Sequence, residues 1–259
     1  MIGKLGKKLG VVEDPRTFKL KPLVDMETLP AIPSNWRYAH DLHHVPMFAN
    51  DQFGCCTCAS NGHRIVAQEF ASQQKELQVN DADVLEVYSA VTGFRIGDPS
   101  TDNGAYMLDV ANYMRRVGMG RERDGTRHTI AAFVKVDHTD LDEVKAACNI
   151  FGGVWVGVWL PMSAQAQTGA GKQWTAPQGK PTGDWEPGSW GGHAIEVTAY
   201  NSRVAMAYTW GEEQYMTWGF WRTYVDECYA MISEDWLRGG KSPRGFDMTR
   251  LQGLLSELR

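Results

Sequence analysis

The stretch from residue 57 to about residue 77 constrains this chain most. The small residues Ala59 and Ser60 open it, and Ile65, Val66, Phe70 and Leu77 recur at roughly helical intervals. A long helix is expected there. It starts inside the run N-D-Q-F-G-C-C-T-C (residues 50–58), which holds three of the five cysteines of the chain. A thiol at a helix N-terminus lies in the positive end of the helix dipole, a field that favours thiolate over thiol. Taken alone, the run allows a metal knot, a disulfide corner, or a catalytic nucleophile with two bystanders.

The elements around it follow from pattern and punctuation. Residues 1–36 carry Pro15, Pro22, Pro30 and Pro33 and read as an extended arm lying over the body. The basic G-K-L-G-K-K at residues 3–8 reads as a mobile tail. Helical patterns cover 81–92, with an acidic start, and 104–117, where Met107, Leu108, Ala111 and Met114 share a face. After a loop at 118–127 come a strand at 129–137, a short helix at 141–150 and an apolar strand at 154–160. Residues 161–189, rich in Pro, Gly, Gln and Thr, read as one long surface loop. Strands are expected at 194–200, 203–210 and 229–233, a helical turn at 220–225 and a closing helix at 249–258. Helices first and strands later make an α+β protein: an arm (1–36), a helical lobe (37–127) and a β-rich lobe (128–259) with a cleft between the lobes.

Composition removes several classes of function. A chain of 259 residues with 43% hydrophobic content can bury a sizeable core, and its net charge of −5 comes from interspersed acids and bases. A nucleic-acid partner is not expected. The N-terminus lacks the apolar core of a secretory signal and no segment approaches a membrane span, so a soluble, cytoplasmic protein with no membrane partner is expected. Five cysteines, three of them crowded, do not form the framework of a disulfide-stapled secreted domain, and Cys148 and Cys228 read as small buried apolar residues. Cys55, Cys56, Cys58 and His63 are all metal-ligand types, but zinc sites use cysteine pairs separated by a longer span, so no metal or other cofactor is expected.

A thiolate becomes an acyl-transfer nucleophile when a histidine takes or shares its proton, wherever that histidine lies in sequence. Of seven histidines, His193 stands out: it follows G-S-W-G-G and opens the apolar run A-I-E-V-T-A-Y. His40, His43, His44, His63, His128 and His138 read as surface or structural residues. Asp184, Glu196, Glu212, Glu213 and Glu227 are lone acids on loops and strand ends, of the kind usually solvated. Trp155, Trp159, Trp190, Trp218 and Trp221 are expected chiefly in the core of the second lobe, or lining a cleft for a peptide or glycan.

The order N-D-Q-F-G-C-C-T-C, then G-G-H-A-I-E-V-T-A-Y, then Y-T-W-G resembles the papain-like cysteine peptidases. In that family a Gln lies six residues before the nucleophilic Cys, the Cys begins a central helix, a His heads a strand of the second lobe, and N-S-W-G follows. The runs 50–57, 151–161, 187–194, 209–218 and 224–227 are similar to a group of phage and bacterial papain-like proteins, over most of the chain. The resemblance implies two registers. Asn50 pairs with Cys56, which is favoured as nucleophile, or Gln52 pairs with Cys58. Asn50 or Gln52, with the Cys56 backbone N–H, would stabilise the oxyanion.

Tyr208 stands where the family's Asn is expected, so the hydroxyl of Thr209 is left to orient His193, with Trp210 covering the contact. The spacing from His193 to Thr209 suits a β-hairpin. The resemblance implies a cysteine peptidase or related amide hydrolase acting on a peptide, a protein or peptidoglycan. The missing Asn keeps a second expectation open, a non-catalytic virion component with virion proteins as partners.

Overall fold

The computed structural model describes residues 7–23, 31–71, 79–120, 125, 127–233, 249 and 253. The chain opens with a single helical turn, α1 (Leu20–Leu23), and a short strand, β1 (Trp36–Arg37). Three helices follow: α2 (Cys56–Ala71), α3 (Asp81–Thr92) and α4 (Met107–Arg116). Next come β2 (Ile130–Lys135), α5 (Leu141–Phe151), β3 (Val154–Leu160) and α6 (Met162–Gly169). The rest is β4 (Gly191–Tyr200), β5 (Val204–Thr209), β6 (Glu212–Thr217), α7 (Trp218–Tyr224) and β7 (Val225–Ser233). The strands form one antiparallel sheet in the order β2-β7-β3-β4-β5-β6, with β1 added to the far end of β4.

Strand alternation sorts the side chains into two cores. Val154, Val156 and Val158 of β3, Ala205 and Ala207 of β5 and Cys228, Ala230 and Ile232 of β7 face α5, α6 and α7. Trp155, Met206, Tyr208, Tyr229 and Met231 face the other way, onto α2 and α4. Because both faces are covered, β3 and β4 are buried almost throughout. The helix ends carry the expected punctuation. Asn80 caps α3 in a reciprocal box with Asp83, Asp140 caps α5, and glycines at 93 and 152 close these two helices in the left-handed conformation.

The helix α2 is buried on nearly every side, which its small residues permit. Its polar groups are satisfied locally: the Ser60 hydroxyl donates to the Cys56 carbonyl at 2.7 Å, and the Asn61 amide donates to the Thr57 carbonyl at 3.0 Å. The indole N–H of Trp155 in β3 donates to Ser60 Oγ at 2.7 Å, which ties the first turn of α2 to the middle of the sheet. Cys148 and Cys228 are buried, and all five cysteines are free.

The structure departs from the sequence reading in several places. Part of the long loop at 161–189 is helical, since M-S-A-Q-A-Q is built of good helix formers although only Ala164 is buried. The strand β6 was not anticipated, because the turn that creates it is Trp210–Gly211 rather than a standard turn dipeptide. Strands β4 and β7 begin three and four residues earlier than expected, at Gly191 and Val225. Phe70, counted among the apolar positions, is exposed in the last turn of α2. Lys7 and Lys8 are not part of a mobile tail; they dock into the body, and Lys8 is buried. Glu196 and Glu227 are buried rather than solvated, because they sit on the inner strands β4 and β7, whereas Asp184 and Glu212 are exposed. The expected closing helix at 249–258, and the stretch 72–77 at the end of the long helix, lie outside the described residues apart from Thr249 and Gly253.

Replacing Ser60 with Ala leaves the buried Trp155 indole N–H without an acceptor. The Ser60→Ala variant is expected to lose about 1–3 kcal/mol of stability, measured by urea unfolding.

Candidate active site

The hairpin β4–β5 pairs Tyr208 with Glu196, and Thr209, one residue further on, brings its Oγ1 to 2.7 Å from His193 Nε2. Neighbouring strand residues point to opposite faces. Tyr208 therefore turns away and donates its hydroxyl to the Leu42 carbonyl at 2.8 Å, which leaves Thr209 facing the imidazole. The ring of Trp210 stacks on that of His193, with centroids 4.2 Å apart and planes at 13°. A two-residue turn sets this contact: Trp210 and Gly211 both have positive φ (47° and 83°), the requirement of a type I′ hairpin. A bulky residue in the left-handed region is strained, and here the strain holds an indole over an imidazole.

His193 is fully buried and its second ring nitrogen, Nδ1, has no hydrogen-bond partner. Burial, and secondarily the neighbouring His63, lower its pKa to about 3. Cys56 is the first residue of α2, and the Cys55 carbonyl accepts the opening bonds of the helix. The Cys56 thiol meets the backbone of Ala194, the residue after His193, and the backbone and charge of Lys8. Burial pushes its pKa up to about 12, and those contacts, together with the Thr57 backbone, only partly oppose the rise.

The other candidates fall in different places. Cys58 lies within α2, fully buried, with its thiol 3.9 Å from Thr57 Oγ1, and burial raises its pKa further than that of Cys56. Cys55 donates its thiol to the Phe48 carbonyl. Asn50 is buried six residues before Cys56 and its amide donates to the Phe53 carbonyl at 3.1 Å; Gln52 is exposed. The His63 ring lies 2.9 Å from the Pro46 carbonyl and packs on Phe48. Among the described residues no three His, Cys, Asp or Glu side chains converge as a metal-holding group, and no helix is long and apolar enough to cross a membrane.

One element of the site gave no sequence signal. Residues 7–9 run between α4 and β4: Lys8 N–H donates to the Gly192 carbonyl at 3.1 Å, Leu9 N–H to the Ala105 carbonyl at 3.0 Å, and Ala105 N–H to the Lys7 carbonyl at 3.2 Å. Glycines make this approach possible. A Cβ at Gly192 would lie 2.2 Å from the Lys8 carbonyl oxygen, and one at Gly104 only 1.7 Å from that of Lys7. With the segment in place, Cys56 and His193 are 1% and 0% exposed.

No family model and no curated protein matches the sequence. Solved structures do match in fold. Xylellain, a cysteine protease from Xylella fastidiosa, superposes with a TM-score of 0.65 at 14% identity, over 90% of this chain and 97% of its own. Digestive procathepsin L 3 of the Tenebrio molitor larval midgut gives 0.56 at 11% identity, over 88% and 75%. A cysteine protease of Carica candamarcensis gives 0.52 at 12%, over 78% and 99%. The chain therefore has the papain-like α+β fold.

The buried histidines set an acid limit on stability. Burial lowers His63 from 6.5 to about 4, so the folded protein keeps the ring neutral where the unfolded chain takes up a proton. That contribution is complete above pH 6.5 and is lost as pH falls toward 4. His63→Gln removes it, so the stability advantage of the unmodified protein over this variant should shrink by roughly 3 kcal/mol between pH 6.5 and 4, read from urea unfolding at several pH values.

Proposed function

We propose that this protein is a cysteine peptidase in which Cys56 is the nucleophile, His193 the proton carrier and Thr209 the group that orients the imidazole. The observation that carries the reading is the division of labour on one ring. Nε2 of His193 is engaged by Thr209, while Nδ1 is buried, unpartnered and next in the chain to the Ala194 backbone that the Cys56 thiol meets. With the proton on Nε2 and donated to Thr209 Oγ1, Nδ1 carries a lone pair and can accept the thiol proton.

In the reaction, the Cys56 thiol gives its proton to Nδ1 and its sulfur attacks the carbonyl carbon of a peptide bond. The resulting oxyanion is stabilised by the Cys56 backbone N–H and the amide of Asn50, which is buried beside the helix start while Gln52 is not. The imidazolium returns its proton to the leaving amine, and water then releases the acyl group through the same histidine. Trp210 shields the imidazole and its Thr209 contact from water. Residues 37–127 contribute the thiol and residues 128–259 the imidazole, so substrate lies between them.

The fit of Thr209 supports a catalytic site over a decayed one. The absence of the family's Asn was the argument for a non-catalytic virion role, and a hydroxyl at 2.7 Å supplies an orienting group in its stead.

Two measurements test this. An epoxide thiol probe followed by peptide mapping should label Cys56 in the full chain, or in Lys8→Glu where the covering segment is repelled, and the label should fade in His193→Ala. Labelling of Cys58 alone moves the nucleophile, and no labelling of either thiol in both proteins rejects the peptidase. Thr209→Val should lower peptide turnover about 10²-fold with KM little changed, and Thr209→Asn should restore most of it.

A further inference from the structure

The side chain of Lys8 is completely buried, which a lysine tolerates only when its charge is matched. Its ammonium lies 2.9 Å from Asp226 Oδ2, 2.8 Å from Glu227 Oε1 and 3.0 Å from the Leu9 carbonyl, and stands over the ring of Trp159 with 5.2 Å to the centroid. Two carboxylates thus meet one cation. The pocket has been left open by Gly157: a Cβ there would lie 2.6 Å from Lys8 Cε and 2.7 Å from Glu227 Cγ. The residue that fills it also lies beside the candidate nucleophile, since the backbone of the same Lys8 bonds to Gly192, next to His193, and approaches the Cys56 thiol.

We propose that the pocket of Asp226, Glu227 and Trp159 recognises a lysine or arginine side chain of a peptide bound in the cleft, and that Lys8 fills it here as a stand-in for that side chain. The proposal rests on the reading of Cys56 and His193 as a peptidase site, because it takes the ligand to be a peptide laid across them. A neutral side chain of the same length would fill the volume but leave two neighbouring carboxylates facing each other, one of them on the buried Glu227. Asp226 Oδ1 is buried and has no hydrogen-bond partner while Lys8 is bound, so it is positioned to take a second N–H of a guanidinium fork. The site therefore selects charge first and accepts both basic side chains. Because Lys8 competes for the same place, a peptide enters only after residues 7–9 have left.

The test reads binding, not turnover. In full-length protein carrying Cys56→Ala, so that nothing is cut, Lys8→Glu is added to drive the segment from the acidic pocket. The probes are fluorescein-labelled alanine hexapeptides with lysine, arginine, norleucine or glutamate at the third position, followed by fluorescence anisotropy. The lysine and arginine peptides should bind about tenfold or more tighter than the norleucine peptide, with glutamate weakest. That margin should vanish in Asp226→Asn or Glu227→Gln, and all peptides should bind more weakly when Lys8 is retained. Equal binding of the lysine and norleucine peptides, a margin that survives both carboxylate variants, or no binding at all overturns the proposal and leaves the lysine as a structural ion cluster. If Lys8→Glu alters the circular dichroism of the protein, Lys8→Ala replaces it in the same series. Since binding needs no thiol, its failure is separate from a failure of Cys56 labelling.

Discussion

The site depends on one buried chain of hydrogen bonds, from the Trp155 indole to Ser60 Oγ and on to the Cys56 carbonyl. Burial of α2 is non-directional and would tolerate a helix shifted by part of a turn or rotated about its axis. The indole fixes which turn of the helix meets which residue of β3, and β3 is hydrogen-bonded in register to β4, where Val158 pairs with His193. The position of the thiol relative to the imidazole is therefore set by a sheet register and one hydroxyl. Ser60 does this while standing inside a helix, because its hydroxyl is bonded back to its own backbone and brings no unsatisfied donor into the core.

A second constraint is that Cys56 and His193 are both buried. Burial dominates the shifts at Cys56 and His193, and it acts in opposite senses on an acid and a base: the thiol is pushed up to about 12 and the imidazole down to about 3. Both shifts favour the neutral pair. At Cys56 alone the rise corresponds to roughly 4 kcal/mol against the thiolate, far more than the helix dipole returns at about 0.3–1 kcal/mol. The sequence led one to expect a field favouring thiolate at Cys56, but the thiol is raised instead, because the sequence shows where a helix starts and not what lies on top of it.

What was legible in the chain was what is local. The bounds of α3 and β3 coincide with the expected ranges, since each is a short run of consistent period with clear punctuation. The meeting of His193 with Thr209 was also legible, because a hairpin converts a spacing of 16 residues into a register. The strand β6 was missed because Trp-Gly takes a turn conformation that β-bulky residues seldom adopt, and only the stacking on His193 explains why it does so here. The docking of Lys8 on Glu227 was invisible: the partners are 219 residues apart, and neither the basic run at 3–8 nor the run at 224–227 shows in sequence what it meets.

That last contact also explains why two features of the site belong together. A buried lysine with two carboxylates is stable only as a complete set, so the segment at residues 7–9 is held by its charge as much as by its three backbone bonds. The same segment bonds to Gly192 beside His193 and lies against Cys56, so it and Trp210 both lie over this pair of buried groups. Displacing Lys8 would take from Cys56 two contacts that favour the thiolate, its backbone and its charge, while relieving burial, so the two effects on the thiol oppose each other. On the proposed reading, a peptide cation that takes the place of Lys8 between Asp226 and Glu227 would also displace the backbone that bonds to Gly192 beside His193.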